Sequence, residues 1–265
     1  MTDMQTRPKT PAPRRKVRPA GRSVPMRGLI PLVALLFLWQ LSGGSRPFFP
    51  PPSQWLVALV GYVLDGRLIT AIGSTLWSFL LGLVAATIVG VVIGYIVGRS
   101  IVMDRLLGPL LEFFRFTPSS ASLPVVVMLL GYEEVMKVFV VVFGGLWPIL
   151  LQTRAASKAL SRPLLDLATS LSMSRTERLR KIIAPALVPA ILLGIKIATP
   201  TLLVLVLLVE ITTNVPGIGR LLAEAQGELW TANVYGVVVL CALLAMAVNA
   251  AVVAIEGRIL RYRPQ

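Results

Sequence analysis

Charge-free apolar runs long enough to cross a bilayer recur along this chain, and they constrain its fold more than any single motif does. A hydrocarbon core about 30 Å thick needs roughly 20 helical residues to cross it. The stretch from Leu68 to Gly98 is longer than that and carries no charged side chain. With 55% hydrophobic and 14% charged residues, the chain is too apolar for a soluble domain of its length. The expectation is an all-α polytopic membrane protein with about six transmembrane helices, near residues 26–44, 69–98, 106–131, 135–152, 185–209 and 234–255. An even number of spans puts both termini on one side.

Basic residues select that side, because Lys and Arg in short loops are retained in the cytoplasm. With the N-terminus inside, 21 of the 26 Lys and Arg fall on the cytoplasmic face. They sit before the first span, between Arg99 and Arg115, between Arg154 and Lys181, and at Arg258, Arg261 and Arg263. The other face keeps Arg46, Arg67, Lys137 and Arg220 beside six acids, and Lys196 lies within a span. The expected location is therefore a bacterial cytoplasmic membrane with both termini cytoplasmic.

The net charge of +14 follows topology rather than one soluble face, which argues against nucleic-acid binding. Residues 1–25 read as a disordered basic cytoplasmic tail drawn to anionic lipid headgroups, and residues 26–265 as the transmembrane domain. The apolar run after the long basic tail meets the proline-rich segment Pro47 to Pro52 rather than a small-residue cleavage site, so no cleavable signal peptide is expected. One cysteine, Cys241, excludes an intrachain disulfide, and the lack of histidine removes the usual metal ligand and neutral-pH base. No phosphate-cradling Gly-x-x-x-x-Gly-Lys-Ser/Thr occurs. Neither catalysis, a metal nor a cofactor is expected in this chain.

Three further features stand out. Gly82, Ala86, Gly90, Gly94 and Gly98 recur every four residues, a small-residue stripe for close helix packing within one subunit or between two. Trp55 to Leu64, opened by Pro50-Pro51-Pro52, reads as a short interfacial helix. Pro118, Ser119, Ser120, Ser122 and Pro124 interrupt the third span, and loosened polar backbone at that depth needs burial in protein or a watery cavity. Ser119, Ser120 and Ser122 are thus candidates for a translocation path, unless their hydroxyls merely satisfy backbone groups freed by the prolines.

The loop of about 154–185 is polar and strongly basic, set between lipid-grade runs. It is expected to fold as a helix over 164–171, a turn near 172–174 and a second helix from Arg175 to Ile183, closed by Ala184-Pro185. Such a knob suits a cleft in a soluble partner. Its core, Asp166-Leu167-Ala168-Thr169-Ser170-Leu171-Ser172 followed by Ala184-Pro185, resembles the coupling loop of ABC-importer permeases, whose pattern is Glu-Ala-Ala, three residues, Gly and a later Leu-Pro. Ser172 stands at the Gly position, Asp166 at the Glu and Ala184 at the Leu.

Beyond the loop, Pro51-Pro52-Ser53, Gly108-Pro109-Leu110-Leu111, Phe116-Thr117-Pro118, Leu123-Pro124, Gly131-Tyr132-Glu133-Glu134, Lys137, Glu210, Gly217-Ile218-Gly219 and Glu256-Gly257-Arg258 resemble the permeases of the nitrate, sulfonate and taurine importer group. That resemblance implies a type I importer permease fold, and a homodimer working with two cytoplasmic ATPase subunits that bind ATP and Mg. It also implies an extracytoplasmic solute-binding protein and a small, mostly anionic solute, with Asp166, Leu167, Ala168, Ser172 and Pro185 at the ATPase contact. Two other readings remain: a stand-alone secondary transporter, which needs an ion-coupling site at midplane, and a non-transporting membrane scaffold.

Overall fold

The computed structural model describes residues 26–43 and 48–261. The expected basic tail, residues 1–25, lies outside the described residues. The described chain runs through α1 (Met26–Ser42), α2 (Pro52–Leu64), α3 (Arg67–Arg99), α4 (Ile101–Phe116), a 3-10 turn (Ser119–Ser122) and α5 (Leu123–Leu130). It continues with α6 (Glu134–Lys158), α7 (Arg162–Ser170), α8 (Arg175–Arg178), a π-helical turn (Leu179–Ile183), α9 (Ala184–Thr213), α10 (Ile218–Gly227) and α11 (Thr231–Leu260).

Among the described residues four helices are long and apolar enough to cross a membrane alone: α3, α6, the continuous helix Arg175–Thr213 and α11. A fifth candidate is α4 with α5, bent by 85° at the break after Phe116. The expected interruption of the third span at Pro118–Pro124 is thus a sharp bend between two helices. The residue before a proline is driven from the helical region, and Thr117 at ψ 120 and Pro118 at ψ 118 are both extended there. With 17 residues, α1 reaches only about 25 Å at 1.5 Å per residue. Its C-terminal end is held by Trp39, packed edge-on against Trp55 of α2 and Tyr235 of α11.

The centre is α6, half of whose apolar window is buried, against 28% for α3, 39% for the helix containing α9 and none for α11. Lipid supplies no hydrophobic drive between helices, so close backbone packing decides which ones associate. The small-residue stripe of α3 faces α6 of the same subunit. A Cβ on Gly94 would lie 2.5 Å from the Leu150 carbonyl, one on Gly98 2.6 Å from the Arg154 carbonyl, and one on Gly82 would strike Val141. On its other side α6 offers Gly144 and Gly145 to Leu205 and Leu202 of α9.

The expected fourth span, 135–152, is too short. Arg154 and Lys158 lie on the last turns of α6 rather than in the loop, because Asp104 of α4 neutralises both, its carboxylate lying 2.7 Å from Arg154 and 2.6 Å from Lys158. On the same side Lys196 of α9 pairs with Glu256 of α11 at 2.8 Å. Glu112 and Arg115 make a looser pair within α4, at 3.5 Å.

Candidate functional site

The segment after α6 folds as a compact knob. Pro163 opens α7 in its first turn, where a missing N–H costs nothing. The far end of α7 closes as a Schellman motif, with the Met173 amide donating to the Ala168 carbonyl at 3.1 Å and the Ser172 amide to Thr169 at 2.9 Å. That closure needs a left-handed residue, and Ser172 supplies it at φ 52, the position where the coupling-loop pattern has Gly.

Ser174 then opens α8 with a capping box, its hydroxyl accepting from the Glu177 amide and its own amide donating to the Glu177 carboxylate. Arg178 reaches back to the Thr169 hydroxyl at 2.7 Å, tying the second helix to the first. The helix does not stop at Pro185. Proline lacks an amide and crowds the carbonyl four residues back, and the π turn Leu179–Ile183 absorbs this so that α8 and α9 form one helix, Arg175–Thr213.

The sequence-derived knob residues divide by position. Ala168 is fully buried in the knob, whereas Asp166, Leu167 (55% exposed) and Leu171 (66% exposed) face outward. The small side chain is thus an internal packing requirement, and the outward ridge is acidic and leucine-rich. Leu171 was not singled out from sequence. Its place beside the Ser172 turn, one helical turn after Leu167, is the signal that points to it.

At the opposite end of α9 lies a buried polar node. Lys137 of α6 and Glu210 of α9 are both 0% exposed, with Nζ 2.8 Å from Oε1. Glu210 also accepts from the Thr75 hydroxyl of α3 at 2.9 Å and from the Gly219 amide of α10 at 2.9 Å. Thr75 Oγ1 accepts from the Ile218 amide, and Lys137 donates to the Pro216 carbonyl at 3.0 Å. The two glycines of Gly217-Ile218-Gly219 follow from this geometry: a Cβ on Gly217 would fall on the Glu210 carboxylate, and one on Gly219 would lie 2.5 Å from the Leu207 carbonyl. Sequence reading noted these residues singly. A lone Lys early in an apolar helix and a Glu late in another, beside two glycines spaced by one residue, were the available signal.

The three path candidates also separate. Ser120 lines a cavity of about 540 Å³ together with Leu123, Pro124, Met128, Tyr132 and Thr212. Ser119 lies against Gly144 of α6, and the Ser122 hydroxyl donates to the Ser119 carbonyl at 2.7 Å, which is the backbone-satisfying role. Among the described residues no cluster of His, Cys, Asp and Glu is arranged to hold a metal ion.

Known proteins place this architecture. The chain is 26% identical to the nitrate import permease protein NrtB of Leptolyngbya laminosa, over 90% of this chain and 88% of that one. It is 27% identical to the taurine transport system permease protein TauC of Escherichia coli (strain K12), over 86% of each. Its fold matches a chain from the inward-facing MetNI methionine ABC transporter with a TM-score of 0.59 at 15% identity, covering 72% of this chain and 95% of that one. The family model described as "Binding-protein-dependent transport system inner membrane component" matches residues 86–261, well over half the sequence. The chain belongs to the family of binding-protein-dependent transport system inner membrane components.

Proposed function

We propose that this chain is the membrane-spanning half of an ATP-driven importer, working as a homodimer with two cytoplasmic ATPase subunits and an extracytoplasmic solute-binding protein. The observation that carries the proposal is the knob. It is a preformed helix–turn–helix with an outward Leu167 and Leu171 ridge, built on the end of a helix that runs without a break into the core. A rigid knob of this kind delivers a partner's closing motion as a rigid-body push. Asp166, Leu167 and Leu171 make the contact; Ala168, Ser172 and Pro185 shape it. The knob and both termini face the cytoplasm, in keeping with the basic residues around it.

Nitrate and taurine, the cargoes named for the two relatives, are both small and carry an anionic oxyacid group, and this chain's solute is of that class. Ser120 offers a hydroxyl donor to it along the path, beside Thr212, whose own proton goes to the Leu208 carbonyl at 2.8 Å. Calorimetry of the partner binding protein against alkanesulfonates, nitrate and pyrimidines tests the class. Micromolar binding of a sulfonate or of nitrate is expected, and binding of a pyrimidine alone overturns it.

Among the described residues the wholly buried Lys137–Glu210 pair is the feature that most favours a secondary transporter, since ionisable groups inside a span mark coupling sites. It sits in packed protein, bonded to α3, α10 and the loop before α10 and more loosely to Glu134 on its own helix, and neither residue lines the Ser120 cavity. Uptake driven by an ion gradient, from liposomes holding this chain alone, is the result that restores that reading.

A further inference from the structure

We propose that the Lys137–Glu210 pair is a mechanical joint, positioning α10 at the far end of the molecule so that it follows movements of the knob. The inference rests on the reading of the knob as the ATPase contact.

The knob and the pair sit at the two ends of one helix. Arg175–Thr213 comprises 39 residues and stays one helix through its π turn and through Pro189 and Pro200, about 58 Å of path at 1.5 Å per residue. At its first end the Ser174 capping box, the Arg178–Thr169 bond and the Met173–Ala168 bond fasten α7 to it, so α7 and the long helix move together. Glu210 lies within one turn of its other end, where Asn214 in the left-handed region stops it.

Glu210 is the place where this rod is bonded to α3, α6 and α10 at once. Its carboxylate takes one donor each from α3, α6 and α10: Thr75, Lys137 and the Gly219 amide. The link to α10 is the most direct. The first two amides of α10, Ile218 and Gly219, end in the node, and Lys137 holds the Pro216 carbonyl just before them. Negative charge at a helix N-terminus is favoured electrostatically as well as by these bonds. On its buried side α10 sets Ile218, Leu221 and Leu222 among Tyr62, Leu68 and Val237. Its outer side carries Arg220 and Glu224, and Glu224 also pairs with Arg67 at the start of α3. A displacement of the rod therefore reaches the surface opposite the knob through α10.

Stability does not account for a wholly buried ion pair, because an apolar pair of equal volume holds helices together as well or better. Bonds of fixed length and direction do something apolar packing does not: they fix the register of α9 against the loop and α10. That property matters for passing on a displacement rather than for holding a shape.

The test uses the complete transporter, with its ATPase and binding protein, in proteoliposomes. Three quantities are followed: thermal stability, ATPase stimulation by the solute-loaded binding protein, and solute taken up per ATP hydrolysed. The double variant Lys137→Met/Glu210→Gln removes both charges while nearly keeping volume, and Thr75→Val removes one bond to Glu210 together with the acceptor for Ile218. Both are expected to retain the ATPase and its stimulation while uptake per ATP falls about tenfold, the upper range for residues along a coupling route.

Unchanged uptake per ATP in a variant of wild-type stability overturns the joint, and so does a parallel loss of hydrolysis and uptake, which marks an assembly defect. If the double variant does not fold, Thr75→Val decides alone. Failure of the wild-type chain to retain any ATPase sinks the underlying reading before a variant is made, so the two failures are distinct.

Discussion

Ser172 and Lys137 show how single residues carry this architecture. Ser172 occupies the left-handed turn that ends α7 at φ 52, where a Cβ costs about 1 kcal/mol relative to glycine. Ser172→Gly should stabilise the knob by about that amount, read as slower hydrogen exchange of the Ser172 and Met173 amides. Lys137→Met should do the reverse. It strands the Glu210 carboxylate, 0% exposed, without its cation, a loss of about 3–5 kcal/mol in unfolding free energy measured in detergent. The Lys137→Met/Glu210→Gln pair should recover much of it, because no buried charge is stranded. The turn at Ser172 was legible from the coupling-loop spacing. The ion pair was not, since its members lie on different helices and each alone reads as a charge near a span end.

At the scale of elements, the close contact of α3 with α6 organises the membrane body, and the stripe that makes it was visible in the spacing of Gly82, Ala86, Gly90, Gly94 and Gly98. What the stripe faces was not visible, because four-residue spacing describes one surface and says nothing of the helix opposite. Gly94→Leu places a side chain against the Leu150 carbonyl and Thr153. It should cost about 3 kcal/mol or more through overpacking, seen as a lower yield of folded protein and a lower unfolding midpoint. The length of α6 escaped sequence reading for a related reason. Arg154 and Lys158 looked like the start of a polar loop, and their neutraliser, Asp104, stands on another helix. The continuity of α8 with α9 through Pro185 was likewise hidden, because a proline in sequence does not announce a π turn that accommodates it.

The whole molecule is a multi-pass inner-membrane transport component, with a lipid-embedded body and a polar knob projecting from one end of it. Class, approximate spans and knob were all within reach of hydropathy and charge, since those patterns are local. The Ser120 cavity and the Lys137–Glu210 node depend on how distant segments meet, which no local pattern records. On this account the body has a working surface at each end, joined by the helix Arg175–Thr213. The knob end is the more exposed to test, because Leu167 and Leu171 project from it without supporting the fold. The deciding measurement is retention of the cognate ATPase by this chain, purified in mild detergent, for the wild type and for Leu167→Glu/Leu171→Glu. Retention by the wild type and at least a tenfold weaker association for the variant, about 1.4 kcal/mol or more, is expected with membrane insertion unchanged. Equal retention by both, or none by the wild type, contradicts it.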